Sequence, residues 1–160
     1  MRFQKISQLW IIFMHTYTTN SFEETQNLGE KLAKKIIDSG LQKTAVVLGL
    51  SGNLGGGKTT FMQGFAKGLG VNEKILSPTY VIQKRFEIKN IFKNFYHIDC
   101  YRINEPEEIL ELDFKKIISN PENIVAVEWP EKIKKFLPKN IITIDFKFIN
   151  ENQREIIVNY

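Results

Sequence analysis

Cysteine is nearly missing from this chain, and the shortage removes several classes of protein at once. The single Cys100 among 160 residues cannot close an intramolecular disulfide, and no Cys/His pattern with metal-ligand spacing accompanies it. A disulfide-stapled secreted scaffold and a structural zinc domain are therefore excluded, and a reducing cytoplasm is the expected setting. A run long enough to cross a bilayer is also lacking. Leu9–Met14 (LWIIFM) follows Arg2 and Lys5 in loose imitation of a signal peptide, but it is shorter than a signal core and no small-residue cleavage site follows. No membrane contact is expected. Charge of one sign is scarce too: 22 Lys+Arg against 18 Asp+Glu leave +4, too diffuse to mark a nucleic-acid surface. Internal repeats, low-complexity tracts and interdomain linkers do not occur.

What is present suffices for one packed domain, since 42% of the residues are hydrophobic and 25% charged. The regular pattern begins after Met14, so the domain is assigned to 15–160. Residues 1–14 are read as an N-terminal extension, with Met14 as an alternative start and an added edge strand or arm as the competing reading. Ser21-Phe22-Glu23-Glu24 reads as a capping box opening a helix, with Ser21 accepting from the Glu24 amide and Glu24 reaching back to the cap. Leu28, Leu32 and Ile36 give that helix one apolar stripe, and Gly40 ends it.

Thr44–Leu50 (TAVVLGL) is a short apolar run of the kind that forms a strand covered on both faces. A glycine-rich segment interrupts it, and Phe61, Phe65 and Leu69 then mark a helix from Lys58 to about Gly70. Further strands are expected at Tyr80–Phe86 and Phe92–Ile98, joined as an antiparallel hairpin through Lys89-Asn90. A short helix follows at Glu105–Leu112, a buried strand at Ile124–Val127, and half-buried strands at Ile141–Phe148 and Glu155–Asn159. The last two form a hairpin around Asn150–Gln153 that finishes the sheet. These elements define an α/β fold, a three-layer sandwich whose mixed, mainly parallel central sheet carries an antiparallel hairpin; the P-loop NTPase form of it is what the glycine-rich segment between strand and helix, GNLGGGKT (52–59), leads one to expect.

Gly52-Asn53-Leu54-Gly55-Gly56-Gly57-Lys58-Thr59 satisfies G-x-x-x-x-G-K-[ST], between a strand and a helix as that motif requires. Glycines let backbone N–H groups turn inward around phosphate oxygens, Lys58 supplies charge for the β- and γ-phosphates, and Thr59 offers a hydroxyl to Mg²⁺. Thr60 extends the cradle into the helix. In a chain of this length the pattern arises by chance on the order of once in a few hundred. ATP or GTP with Mg²⁺ is the expected ligand.

The site also needs a carboxylate from a neighbouring strand. Asp99 closes the apolar stretch Phe95–Ile98, and Glu128 ends Ile124–Val127 in the same manner, so both should emerge where open α/β sheets bind ligands. Asp99 is the first candidate for the metal; Glu128 is the second, to share the metal or orient the attacking water. Ser77-Pro78-Thr79 reads as a turn or as a segment sensing the γ-phosphate. Arg102 neutralises phosphate charge or pairs with Glu105, Trp129 is core or a nucleotide-side wall, and His97 is read as a packed strand residue without a catalytic role.

Taken in order, the blocks SFEET (21–25), GNLGGGKTT (52–60), Gln63-Gly64, Gly68-Leu69-Gly70, SPTY (77–80), HIDCYR (97–102) and EWPE (128–131) resemble the TsaE family of bacterial ATPases. The resemblance spans residues 21 to about 138, with Arg154–Val158 fitting the family's closing strand. It implies an ATPase serving threonylcarbamoyladenosine formation in tRNA beside TsaB and TsaD homologues, which handle the transfer, with tRNA met through that complex. It places Lys58 and Thr59 in the P-loop roles, Thr79 in a first switch segment, Asp99 in the Walker B metal role, and Glu128 with Trp129 in a second switch segment. Asn53 departs from the family's usual Asp, removing a negative charge near the phosphates, and Gly56 replaces its usual Ala. The residues leave two other functions open: a small-molecule kinase, for which no long arginine-rich lid segment is visible, and a nucleotide-gated interaction module without turnover.

Overall fold

The computed structural model describes residues 14–76 and 82–160. Its elements, in order, are β1 (Met14–Thr19), α1 (Phe22–Ser39), β2 (Val46–Ser51), α2 (Lys58–Gly68), β3 (Gln83–Glu87), β4 (Asn94–Asp99), a 3₁₀ segment Pro106–Leu112, α3 (Phe114–Ser119), β5 (Asn123–Glu128), a second 3₁₀ segment Pro130–Phe136, β6 (Ile142–Phe148) and β7 (Arg154–Asn159). The seven strands make one mixed sheet in the order β1-β7-β6-β2-β5-β4-β3. Its four central strands, β6, β2, β5 and β4, run parallel, and antiparallel partners flank them on both sides.

Strand alternation divides the core. Every residue of β5 is buried; Ile124 and Ala126 face the layer built by α1 and α2, while Val125 and Val127 face the layer built by α3 and the 3₁₀ segments. Leu32, Ala33 and Ile36 of α1 and Phe61 and Phe65 of α2 fill the first layer against Leu48, Phe95 and Phe146. Ile109, Phe114, Ile117 and Ile133 fill the second against Val47 and Ile98.

The two long helices touch backbone to backbone. A Cβ on Gly64 would meet the Gln26 carbonyl, one on Gly29 the Phe61 carbonyl, and one on Gly68 the Ala33 methyl group. Gly64 and Gly68 of the blocks Gln63-Gly64 and Gly68-Leu69-Gly70 thus sit where α1 and α2 approach, whereas Gly70 lies beyond α2 with a left-handed backbone and open space around it.

Several local expectations need adjustment. Ser21 accepts from the Glu24 amide at 3.1 Å, but the Glu24 carboxylate bonds the Asn20 amide (2.7 Å) in place of the cap's own. The expected helix at 105–112 is a 3₁₀ segment with Glu105 at its cap. α3 and the segment 130–136 carry too few turns to show a period in the sequence. The hairpin β6–β7 forms as expected, but β1 pairs outside β7 and is the strand that finishes that edge. The first two residues of the strand expected at Tyr80–Phe86, together with residues 77–79, lie outside the described residues.

Candidate functional site

β2 leads straight into the glycine loop. Gly52, Gly55 and Gly57 have φ of 139°, 76° and 101°, values that L side chains rarely adopt, and a Cβ on Gly52 would stand 2.6 Å from the Phe146 carbonyl oxygen. The loop closes on itself through the Gly56 amide, which donates to the Asn53 carbonyl (3.0 Å). α2 then begins with Gly57 at its cap, no side chain bonding its first amides and no acidic residue in its first turn. A helix start left without a side-chain cap at the end of a glycine loop is a ready anion site.

Lys58 is the buried cation of this site. Its Nζ donates to the carbonyls of Gly52 (2.5 Å) and Asn53 (3.0 Å) and lies 5.0 Å from the centroid of the Trp129 ring. Burial lowers its pKa below the ordinary lysine value, and the carboxylates of Glu128, Asp99 and Glu131, in that order, act in the opposite direction. A buried ammonium supported mainly by two carbonyls is ready to accept a phosphate as its counter-ion.

The carboxylates come from adjacent strand ends. Asp99 of β4 is paired in register with Glu128 of β5, which is in register with Leu50 of β2, the last residue but one before the loop. All three strands are tied beyond their ends: the Cys100 amide donates to the Glu128 carbonyl, and the Trp129 amide to the Leu50 carbonyl. Asp99 and Glu128 are 2% and 3% exposed, so neither is an ordinary surface acid. Asp99 Oδ1 accepts from the Tyr101 amide at 2.9 Å, and Glu128 Oε1 lies 2.8 Å from His97 Nε2.

The other expected residues fall around this centre. Thr59 and Thr60 occupy the first turn of α2, and Asn53, Leu54 and Gly55 form the exposed crest of the loop. Trp129 takes a left-handed backbone (φ 57°), packs on the second core layer, tilts against Tyr101 and turns its ring toward Lys58. Arg102 lies on the exposed turn after Asp99. Thr79 lies outside the described residues.

Two residues touch the site that the sequence reading gave no role there, His97 being read as a packed strand residue and Arg154 as part of the closing strand. His97 is the partner of Glu128. Arg154, at the start of β7, donates from Nη2 to the Gly55 carbonyl (3.3 Å), lies with its side chain along Gly57, and has its guanidinium carbon 4.6 Å from the Phe148 ring centroid. Its buried Nε makes no hydrogen bond.

The donors suit Mg²⁺ bound with a nucleotide. Thr59, Asp99 and Glu128 offer hard oxygens, and among the described residues no group of three or more His, Cys, Asp and Glu forms an all-protein metal cage. Mg²⁺ in nucleotide sites takes one or two carboxylates and completes its shell from phosphate and water. Among the described residues no helix is long and apolar enough to cross a membrane.

A parallel strand running into a glycine cradle and helix, with carboxylates at the ends of the next two strands on one side, β5 and β4, places the chain among the P-loop NTPases. Comparison with known proteins narrows the class. The family model "Threonylcarbamoyl adenosine biosynthesis protein TsaE" matches residues 19–156. The tRNA threonylcarbamoyladenosine biosynthesis protein TsaE of Rickettsia typhi is 37% identical over 139 residues, covering 86% of this chain and 90% of the relative. The TsaE protein of Bacillus subtilis is 36% identical over 132 residues, covering 82% and 80%. The crystal structure of Bacillus subtilis YdiB superposes with a TM-score of 0.70 at 28% identity, covering 93% of this chain and 86% of the other. The chain belongs to the TsaE family.

Proposed function

We propose that the chain is a Mg²⁺-dependent ATPase of the cytoplasm that serves threonylcarbamoyladenosine formation in tRNA, working beside TsaB and TsaD homologues and meeting tRNA through their complex. The observation that carries this reading is the uncapped start of α2, with Lys58 buried beside it and the in-register carboxylates Asp99 and Glu128 on the neighbouring strand ends. Family membership supports the tRNA-modification role, because the relatives' names state it.

In this reading the loop amides and the first amides of α2 grip the phosphates, and Lys58 leaves the Gly52 and Asn53 carbonyls for the β- and γ-phosphates. Thr59 and Asp99 would hold Mg²⁺, which when bound draws charge from the phosphate oxygens. Glu128 orients the attacking water, while Trp129 walls the Lys58 side and keeps bulk water away. Beyond Arg102, no residue of the described site is an obvious arginine finger, so in this reading a partner protein completes the site and turnover of the chain alone is slow.

The test is ATP hydrolysis by the purified chain, alone and with the TsaB and TsaD homologues, together with a nucleotide-binding titration. Slow turnover that rises on adding the partners is expected. A chain that is fully active alone removes the partner role, and one that binds no nucleotide removes the whole proposal.

A further inference from the structure

Glu128 and His97 form a buried pair, His97 being 1% and Glu128 3% exposed. Register explains how they meet. In the parallel pairing of β4 with β5, His97 lies opposite Ala126 and Asp99 opposite Glu128, so His97 and Asp99 share one face of β4. Ala126 carries only a methyl group, which leaves room for the imidazole to reach diagonally to Glu128, one pair further along.

The imidazole is itself held. It stacks on Phe95 with centroids 6.3 Å apart and planes 16° from parallel, and Phe95 packs on Phe65 of α2 at 5.7 Å. When Glu128 is ionised its oxygens only accept, and the bond is then made by the imidazole form that carries a proton on Nε2 and donates to Oε1. One Glu128 oxygen is thereby committed to His97, and the other remains for a water or for the shell of a metal.

We infer that His97 is a positioning residue for Glu128, its Nε2–H fixing the carboxylate that acts at the reacting end of the P-loop. Stability alone is a weak reason for such a pair, because apolar residues of similar volume commonly stabilise a core as well as a buried ion pair does. Location separates the two explanations: Glu128 is the carboxylate that acts most strongly on Lys58, and groups that orient a site's carboxylates commonly matter about 10–100-fold to activity or metal affinity. The inference rests on the role of Glu128 under the proposed function.

The experiment measures kcat and KM for ATP, nucleotide Kd and Tm for the wild type, His97→Ala, His97→Gln, His97→Asn, Glu128→Gln and the double variant His97→Ala/Glu128→Gln, with partner proteins present. His97→Ala should lower kcat about 10–100-fold with KM and Kd changed less than about twofold. The double variant should be no slower than Glu128→Gln alone, since the two residues act as one unit. His97→Gln places an amide near the Nε2 position and should keep more kcat than His97→Asn, whose amide falls short. Losses that multiply in the double variant, or a His97→Ala variant that loses Tm but keeps kcat, overturn the inference. Where His97→Ala does not fold, equal kcat in the Gln and Asn variants overturns it. A wild type that hydrolyses no ATP removes the ATPase reading and this inference together; an active wild type matched by His97→Ala removes the inference alone.

Discussion

The Lys58 ammonium lies 5.0 Å from the centre of the Trp129 ring, and the same nitrogen holds the carbonyls at the head of the glycine loop. The charge that should grip the phosphates is therefore held by its own loop and by an indole face. The contact links loop, strand end and core in one place, since Trp129 follows Glu128 directly and packs on the second core layer. A cation held this way is stabilised modestly, by about 0.5–2 kcal/mol for the ring contact, so a triphosphate can draw it away.

Trp129 fluorescence should consequently report nucleotide binding. Titration with ATP and Mg²⁺ is expected to change the emission of a Trp10→Phe protein, in which Trp129 is the one remaining tryptophan. Lys58→Ala should abolish both the change and the thermal stabilisation by nucleotide while the far-ultraviolet circular dichroism stays native. Saturable ATP binding in Lys58→Ala with wild-type affinity would contradict the role given to this side chain.

Cys100 should be inert to thiol reagents until the chain unfolds. The residue is fully buried, and burial first, then the Asp99 charge, pushes its pKa up from the usual 9.0 to about 12. Between those values the unfolded chain has released the proton and the folded chain retains it, so the contribution to stability is complete below pH 9.0 and is lost as pH rises toward about 12. Labelling at neutral pH should follow the opening rate, and saturating nucleotide should slow it in proportion to the stabilisation it confers. Rapid labelling of the folded protein at pH 7 would overturn the burial of Cys100.

Gly64→Ala should destabilise the protein without touching any group of the loop. The added methyl would enter the Gln26 backbone, and rigid backbone cannot yield as a flexible side chain would. Overpacking of this kind costs about 1–3 kcal/mol, occasionally more, and each 1 kcal/mol lowers the Tm of a chain this size by about 2–4 °C. Thermal denaturation is the measurement, and an unchanged Tm would mean that α1 and α2 are not in backbone contact at Gly64.

What the sequence disclosed about the site follows from how local each feature is. The P-loop was legible because its eight residues are contiguous and each fixed position has one physical task. Asp99 and Glu128 were legible as acids ending apolar strands, and the sheet then placed them side by side. The pairing of Glu128 with His97 was not, because it joins residues 31 apart through a parallel register that no local pattern encodes. Arg154 meets Gly55 across 99 residues of chain, after the terminal hairpin folds back beside the loop. The short α3 and the 3₁₀ segment Pro130–Phe136 stayed hidden for the opposite reason: one or two turns are too few for a helical period to emerge.

Arg154 provides the last prediction, because it braces the loop from the start of β7. One guanidinium bonds the Gly55 carbonyl and the carbonyls of the β6–β7 turn, stacks on Phe148 and lies along Gly57. A loop already held in its binding shape loses less entropy when phosphate arrives, so removing the brace should weaken affinity more than it weakens the fold. Arg154→Ala is expected to raise the ATP Kd about tenfold, equivalent to about 1.4 kcal/mol. Tm should fall by only about 2–4 °C. Arg154→Lys should recover little, because an ammonium lacks the planar fork that reaches several carbonyls while lying flat on a ring. Calorimetric titration of both variants decides the matter: a Kd within twofold of wild type in Arg154→Ala would show that the glycine loop holds its shape without help from β7.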